Sequence, residues 1–183
     1  MSRARVMERL LLAACLLVPI CSFASGARAS SIGYSVISLG GDDYRYVYSV
    51  SNDGSLGTGV ALQLFDVLFD PTLYDESSLA VSTPSPPGDG WDQIFLASSP
   101  GVSAAYDALA LTGGVADGAT LGGFAVDFHW LGAGTPGAQP YQIFDPDSFA
   151  LLGEGVTGVP EPAEFWLLAL GLGPLLASKR LAR

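Results

Sequence analysis

The chain has few of the side chains on which most enzymes, disulfide scaffolds and nucleic-acid binders depend. Its two cysteines, Cys15 and Cys21, both lie near the N-terminus, and it has one histidine, His129, and one lysine, Lys179. Between Ser30 and Gly158 fifteen acidic residues face a single base, Arg45, for a net charge of −14. Each shortage excludes something. Without cysteine this region forms no disulfide and is held by packing alone. Nucleic acid is excluded as a partner, because neutralising phosphates requires Lys and Arg. No lysine is present there for a Schiff base or a Ser-Lys pair. A Ser/His/Asp arrangement has only His129 to use and no motif to select its serine. Zinc would start from one histidine. No catalytic residue and no metal ligand is therefore assigned, and the region is expected to be non-enzymatic. So acidic a surface suits solubility outside the cell.

What is present begins at the N-terminus. Arg3, Arg5 and Arg9 form a positive region ahead of the apolar stretch Leu10–Ile20, which has the length of a secretory signal. Small residues at Ala27 and Ala29 place the cleavage after Ala29; a cut after Ala24 is the alternative. A lipoprotein signal at Cys15 is a competing reading, but only Leu10 and Leu11 separate its box from the last arginine. Removal of residues 1–29 exposes the chain to an oxidising compartment that its domain does not use.

Residues 30–153 alternate over short stretches broken by Gly, Pro, Asp and Asn, without a helical period. Tyr44, Tyr46, Tyr48 and Val50 share one face of a strand that Asn52–Gly54 ends in a turn. Around Leu62–Phe69 the alternation changes phase, which predicts a β-bulge near Leu64–Phe65. Residues 83–90 read as a loop. Further strands are expected over 93–98, 106–111, 141–145 and 148–152. Over 122–130, Phe124, Val126, Phe128 and Trp130 point inward while Ala125, Asp127 and His129 point outward. The pattern predicts an all-β fold, an antiparallel β-sandwich of immunoglobulin-like or jelly-roll type. Residues 154–158 read as a flexible spacer.

Carboxylates are the remaining chemical material. Asp66, Asp70, Asp75 and Glu76 cluster in sequence, and Asp145 and Asp147 flank a proline. Oxygen ligands of this kind suit weak structural calcium, but neither run has EF-hand spacing. No cofactor is assigned. A pair of carboxylates across a cleft would serve glycoside hydrolysis, and exposed aromatics such as Trp91 or Tyr141 would serve carbohydrate contact. These define the alternative, a secreted carbohydrate-binding module or hydrolase.

The C-terminus reads "VPEPAEFWLLALGLGPLLASKRLAR" from Val159 to Arg183. Its uncharged run Phe165–Ala177 rises about 20 Å as a helix, against a hydrocarbon core of roughly 30 Å. Extension to about residues 163–178, with Lys179 and Arg180 snorkelling, approaches spanning length. A translocating chain that meets this run should stop with Lys179, Arg180 and Arg183 in the cytoplasm. The stretch resembles the C-terminal sorting signal of PEP-CTERM proteins: Val159, Pro160, Glu161 and Pro162, a Leu/Gly-rich segment, then bases. The likeness covers twenty-five of 183 residues. It departs from the usual pattern at Glu164, Phe165, Trp166 and Pro174. The resemblance implies a Gram-negative, exopolysaccharide-producing source and an exosortase, a membrane-embedded cysteine protease, as processing partner. It also implies passage through signal peptidase and the secretion machinery, anchoring in the inner membrane, and delivery to the cell surface or medium.

Overall fold

The computed structural model describes residues 30–82 and 90–159. The signal segment, the loop at 83–89 and the tail from Pro160, with its expected membrane helix, lie outside the described residues. The strands are β1 (Ser31–Gly40), β2 (Asp43–Ser51), β3 (Leu64–Phe69), β4 (Ala80–Val81), β5 (Trp91–Leu96), β6 (Ala104–Ala110), β7 (Thr120–His129), β8 (Pro140–Phe144) and β9 (Leu151–Val156). One short 3-10 turn, Glu76–Ser78, precedes β4. Among the described residues no helix is long and apolar enough to cross a membrane.

The strands form two sheets, of order β1-β2-β7-β4 and β5-β6-β3-β8-β9. All their strand pairings are antiparallel. The fold is all-β and sandwich-like, with the core between the sheets. From one sheet come Tyr46, Tyr48, Val50, Phe124, Val126 and Phe128; from the other come Phe65, Val67, Phe69, Tyr106 and Ile143, all buried. Period-2 alternation puts each of these on the inner face of its strand. The rings interlock: Tyr46 stacks on Phe128 at 4.7 Å, and Phe65 meets Phe124 edge-on at 5.1 Å. Each such side chain contributes roughly 1.5–3 kcal/mol through burial, which is how the fold dispenses with disulfides.

Three local expectations are corrected. There is no bulge at Leu64–Phe65: β3 pairs in unbroken register with β6. Leu62 lies outside β3, in an isolated bridge to Val115, and Leu64 is buried on the outer face opposite Leu109 and Phe144. The phase change is thus absorbed by a second apolar side of the strand. A register shift occurs instead between Tyr48 and Ser49, opposite Phe124 and Gly122, where the additional residue is Gly123 at φ 100°. Glycine alone takes that backbone without penalty. The last strand also begins later than expected, at Leu151, because Ser148–Ala150 form a turn closed onto Asp145. Finally, residues 154–158 are no free spacer. β9 runs to Val156, Thr157 is buried, and Gly158 pairs with β1.

β1 was missed altogether, although Ile32, Tyr34 and Val36 alternate with serines and glycine as an edge strand should. It pairs with β2 along its length and forms one edge of the four-stranded sheet, where Gly158 adds a single rung.

Candidate functional site

Of the sequence-predicted site residues, Ala27, Ala29, Pro160, Glu161, Pro162, Lys179, Arg180 and Arg183 lie outside the described residues. Val159 is exposed at the end of the described chain. What the structure places is the pair of points from which those segments depart, Ser30 and Gly158.

Ser30 is 5% exposed and sits on the Asn52–Ser55 turn that ends β2. Its backbone N–H donates to Ser55 Oγ at 3.0 Å, and its Oγ lies 3.2 Å from both Asn52 Oδ1 and Asp53 Oδ1. Its carbonyl accepts from the Tyr141 hydroxyl at 3.0 Å. The turn is tied down from below, because Asn52 Nδ2 donates to the Val60 and Val115 carbonyls at 2.8 and 2.9 Å. Asp53 Oδ1 also accepts from Ser55 N at 3.0 Å. The Ser55 hydroxyl and backbone N–H hold the Asp53 carboxyl below its usual range. Gly155 opposite has no Cβ for a reason: one would stand 2.6 Å from the Tyr141 hydroxyl.

Gly158 lies on the same strand edge. Its N–H donates to the Ile32 carbonyl at 3.0 Å, and its carbonyl accepts from Tyr34 N at 2.8 Å, a parallel rung beside β1. Thr157 anchors the approach, exchanging bonds with Gln139 through its N–H and its Oγ1, each 2.8 Å. The next rung would need an N–H from residue 160. That residue is Pro160 and has none.

The carboxylates that adjoin in sequence do not converge. Asp70 Oδ1 closes its own turn onto Thr72, Asp75 Oδ1 caps the 3-10 turn at Ser77, and Glu76 binds Ser98. Asp145 Oδ1 holds Ser148 in the same way. Among the described residues no three or more His, Cys, Asp or Glu side chains are grouped to hold a metal. Asp66 alone finds another acid, Asp107, directly across from it on β6. This pair was not foreseen, since nothing in the sequence sets the register of β3 on β6. Burial first, and then the bond to Asp107, push the Asp66 carboxyl up to about 7. Burial raises Asp107 as well, with the Asp92 charge adding to it. Both carboxyls are thus pushed upward, and Asp66 Oδ1 is buried without a partner.

His129 is outward and partly exposed, as its parity requires. Its Nδ1 lies 2.8 Å from Asp43 Oδ1, a bond that raises its pKa. The nearby Ser78 hydroxyl is taken by backbone, donating to the Asp75 carbonyl and accepting from His129 N. Arg45 is bidentate with Asp127, at 2.6 and 2.8 Å. Trp91 and Tyr141, the aromatics considered for sugar contact, are buried at 8% and 5% exposure and belong to the core. No protein-family model matches this chain, and no curated protein matches it either.

Proposed function

We propose that the chain is an exported protein of PEP-CTERM type, cut by signal peptidase after Ala29 and processed by an exosortase at Val159–Pro162. It is held for a time in the inner membrane by residues of about 163–178 and the bases Lys179, Arg180 and Arg183. It then serves at the cell surface or in the medium as a non-enzymatic protein associated with exopolysaccharide. Its ectodomain is read as an immunoglobulin-like or jelly-roll β-sandwich.

The observation that carries this reading is the order of features at the C-terminus, Pro-Glu-Pro, apolar segment and basic end, behind a signal at the N-terminus. The geometry lends support at both ends. Ser30, the first residue after the expected cut, is buried in the fold, and the last rung of the described chain is at Gly158, one residue before the motif. Proline has no N–H to give a ladder and disfavours helix at the residue before it, so a Pro-Glu-Pro sequence suits a protease that binds an extended peptide.

The test follows a tagged full-length chain through fractionation, in strains with and without the processing enzyme. Glu161→Ala, or deletion of 159–162, should leave unprocessed protein in the inner membrane. Equal size and location for wild type, variant and enzyme-deficient strain would reduce the tail to a plain anchor.

A further inference from the structure

We propose that the loop over residues 131–139 is a movable cover on a binding site for a neutral saccharide, lined by Trp130, Tyr74, Tyr46 and Tyr48. The proposal rests on the export reading for the supply of saccharide outside the cell. The site itself rests on the geometry of described residues.

The four rings form a row in the core. Trp130 meets Tyr74 at 5.0 Å between centroids, Tyr74 meets Tyr46 at 6.4 Å, and Tyr46 meets Tyr48 at 5.6 Å. The loop touches this row along its length. Gly132 lies so close to the indole that a Cβ there would stand 3.2 Å from Trp130 Nε1. The Gly137 carbonyl accepts from the Tyr46 hydroxyl at 2.7 Å, and Gln139 Oε1 accepts from the Tyr48 hydroxyl. Beneath the loop two N–H donors are buried without a partner, Trp130 Nε1 and Gln139 Nε2, on side chains of residues 8% and 1% exposed. A buried donor that meets no acceptor is costly and asks for an explanation. Trp91 is as buried as Trp130, but its indole N–H is not left unpartnered in this way.

The loop is built to move. Its ends are fixed, Leu131 N–H to the Leu73 carbonyl and the Gln139 carbonyl to Thr157 N–H. Between them, among the described residues, no backbone–backbone hydrogen bond holds residues 132–138. The Tyr46 hydroxyl and the buried Pro136 pin the middle. Gly132, Gly134 and Gly137 loosen it, and Gly134 takes φ 75°. A segment with so few bonds opens at far lower cost than the strands on either side.

The chemistry of the row selects the ligand. Two unfilled N–H donors call for oxygen acceptors and turn away a cation. Acids stand around the site: Trp130 N–H donates to the Asp42 carbonyl, Asp42, Asp43 and Asp75 act on neighbouring His129, and Asp70 acts on Tyr74. Both described cations are engaged elsewhere, Arg45 with Asp127 and His129 with Asp43. An anion is therefore repelled. The negative faces of the rings suit C–H groups. A neutral pyranose, with C–H faces and a hydroxyl rim, meets all three conditions.

The test uses the full-length chain, purified in mild detergent. The probes are neutral hexaoses of glucose, mannose and galactose, with a hexaose of galacturonic acid as the anionic comparison. Binding is followed by NMR at the tryptophan indole resonances, and Trp130→Phe assigns the one that disappears. At least one neutral probe should bind and shift the Trp130 indole, while the uronate should not. Trp130→Phe keeps a ring and removes the donor, so it should weaken binding about tenfold. A second measurement needs neither ligand nor variant. In the free wild type, the Trp130 indole N–H should be protected from hydrogen exchange about tenfold less than the Tyr46 backbone N–H of β2. Pro136→Gly, which removes the peg, should widen that gap. Equal protection of the two groups would show a fixed loop, and failure of every neutral probe would leave the donors to buried water only; either overturns the site. Unchanged binding by Trp130→Phe overturns it too, and equal binding of the uronate overturns the ligand class. None of these readouts depends on cleavage at either end of the chain. Failure here therefore leaves the processing reading standing, and failure of the fractionation test leaves the site standing.

Discussion

The outer faces of the two sheets handle charge in opposite ways. On the four-stranded sheet, cross-strand neighbours give the acids partners: Arg45 faces Asp127 in an ion pair and His129 bonds Asp43. On the five-stranded sheet one row runs Ile94, Asp107, Asp66, Gln142 and Glu154, with no base in it. Leucines lie beside that row, Leu64 buried and Leu96 exposed. The same residue type therefore has two fates. Asp127 is held by the Arg45 guanidinium in two bonds. Asp66, half-buried opposite another acid, has its carboxyl pushed up to about 7, by burial first and then by the bond to Asp107 and that group's charge. Register, rather than composition, made the difference.

The largest change should come from removing the acid pair. The folded pKa of Asp66 lies above the unfolded value of about 3.9, so the native state binds more protons between the two. Its contribution is most favourable below the unfolded pKa and is lost as pH rises through about 7. Asp66→Asn gives Asp107 a permanent N–H donor. It should raise stability at pH 8 by about 2 kcal/mol, a figure reduced for the partial exposure of the site. The fall in stability between pH 4 and 7 should flatten with it. Urea titrations across that range measure both, and an unchanged slope would mean that the Asp66 carboxyl is not raised.

A smaller effect should follow from making the second face resemble the first. Gln142 stands directly across from Asp66 on β8. Gln142→Lys places a cation there and should pull the Asp66 titration back toward the ordinary carboxylate range, visible by NMR. Its stabilisation at pH 8 should be about 0.2–1 kcal/mol, as for other opposite-charge cross-strand pairs. If Asp66 titrates as before, burial alone sets its proton affinity.

The smallest effect belongs to the first face. His129 has its pKa raised chiefly by its bond to Asp43. That contribution is complete below the unfolded value of about 6.5 and disappears as pH rises through the folded one. Asp43→Asn should lower the His129 titration measured by NMR and leave the fold intact. An unmoved titration would assign the shift to Asp42 and Asp75 instead, the more distant charges that also act on it.

Much of the strand pattern was legible because it depends on local chemistry. Tyr46, Tyr48 and Val50 alternate and are buried; so do Phe124, Val126, Phe128 and Trp130. The Asn52–Gly54 turn was equally plain, since its side chains close it from within. Residues 154–158 misled because glycines suggest freedom, whereas Gly155 is small to admit the Tyr141 hydroxyl. The bulge was misplaced because a phase change in one strand looks the same whether a residue is inserted or an outer face is apolar, as at Leu64.

By itself the sequence determined the alternating strands, the want of cysteine between Ser30 and Gly158 and the lopsided charge there, since each is a property of neighbours along the chain. Only the tertiary structure decided which residues meet across it. It set Asp66 against Asp107, forty-one positions on, and gave Arg45 to Asp127. It brought Ser30 to Asn52, Asp53 and Tyr141, and laid Gly158 beside Ile32 and Tyr34. Strand pairing fixes such meetings through register, and register follows from how two aromatic faces fit together in the core, which no single stretch of chain contains.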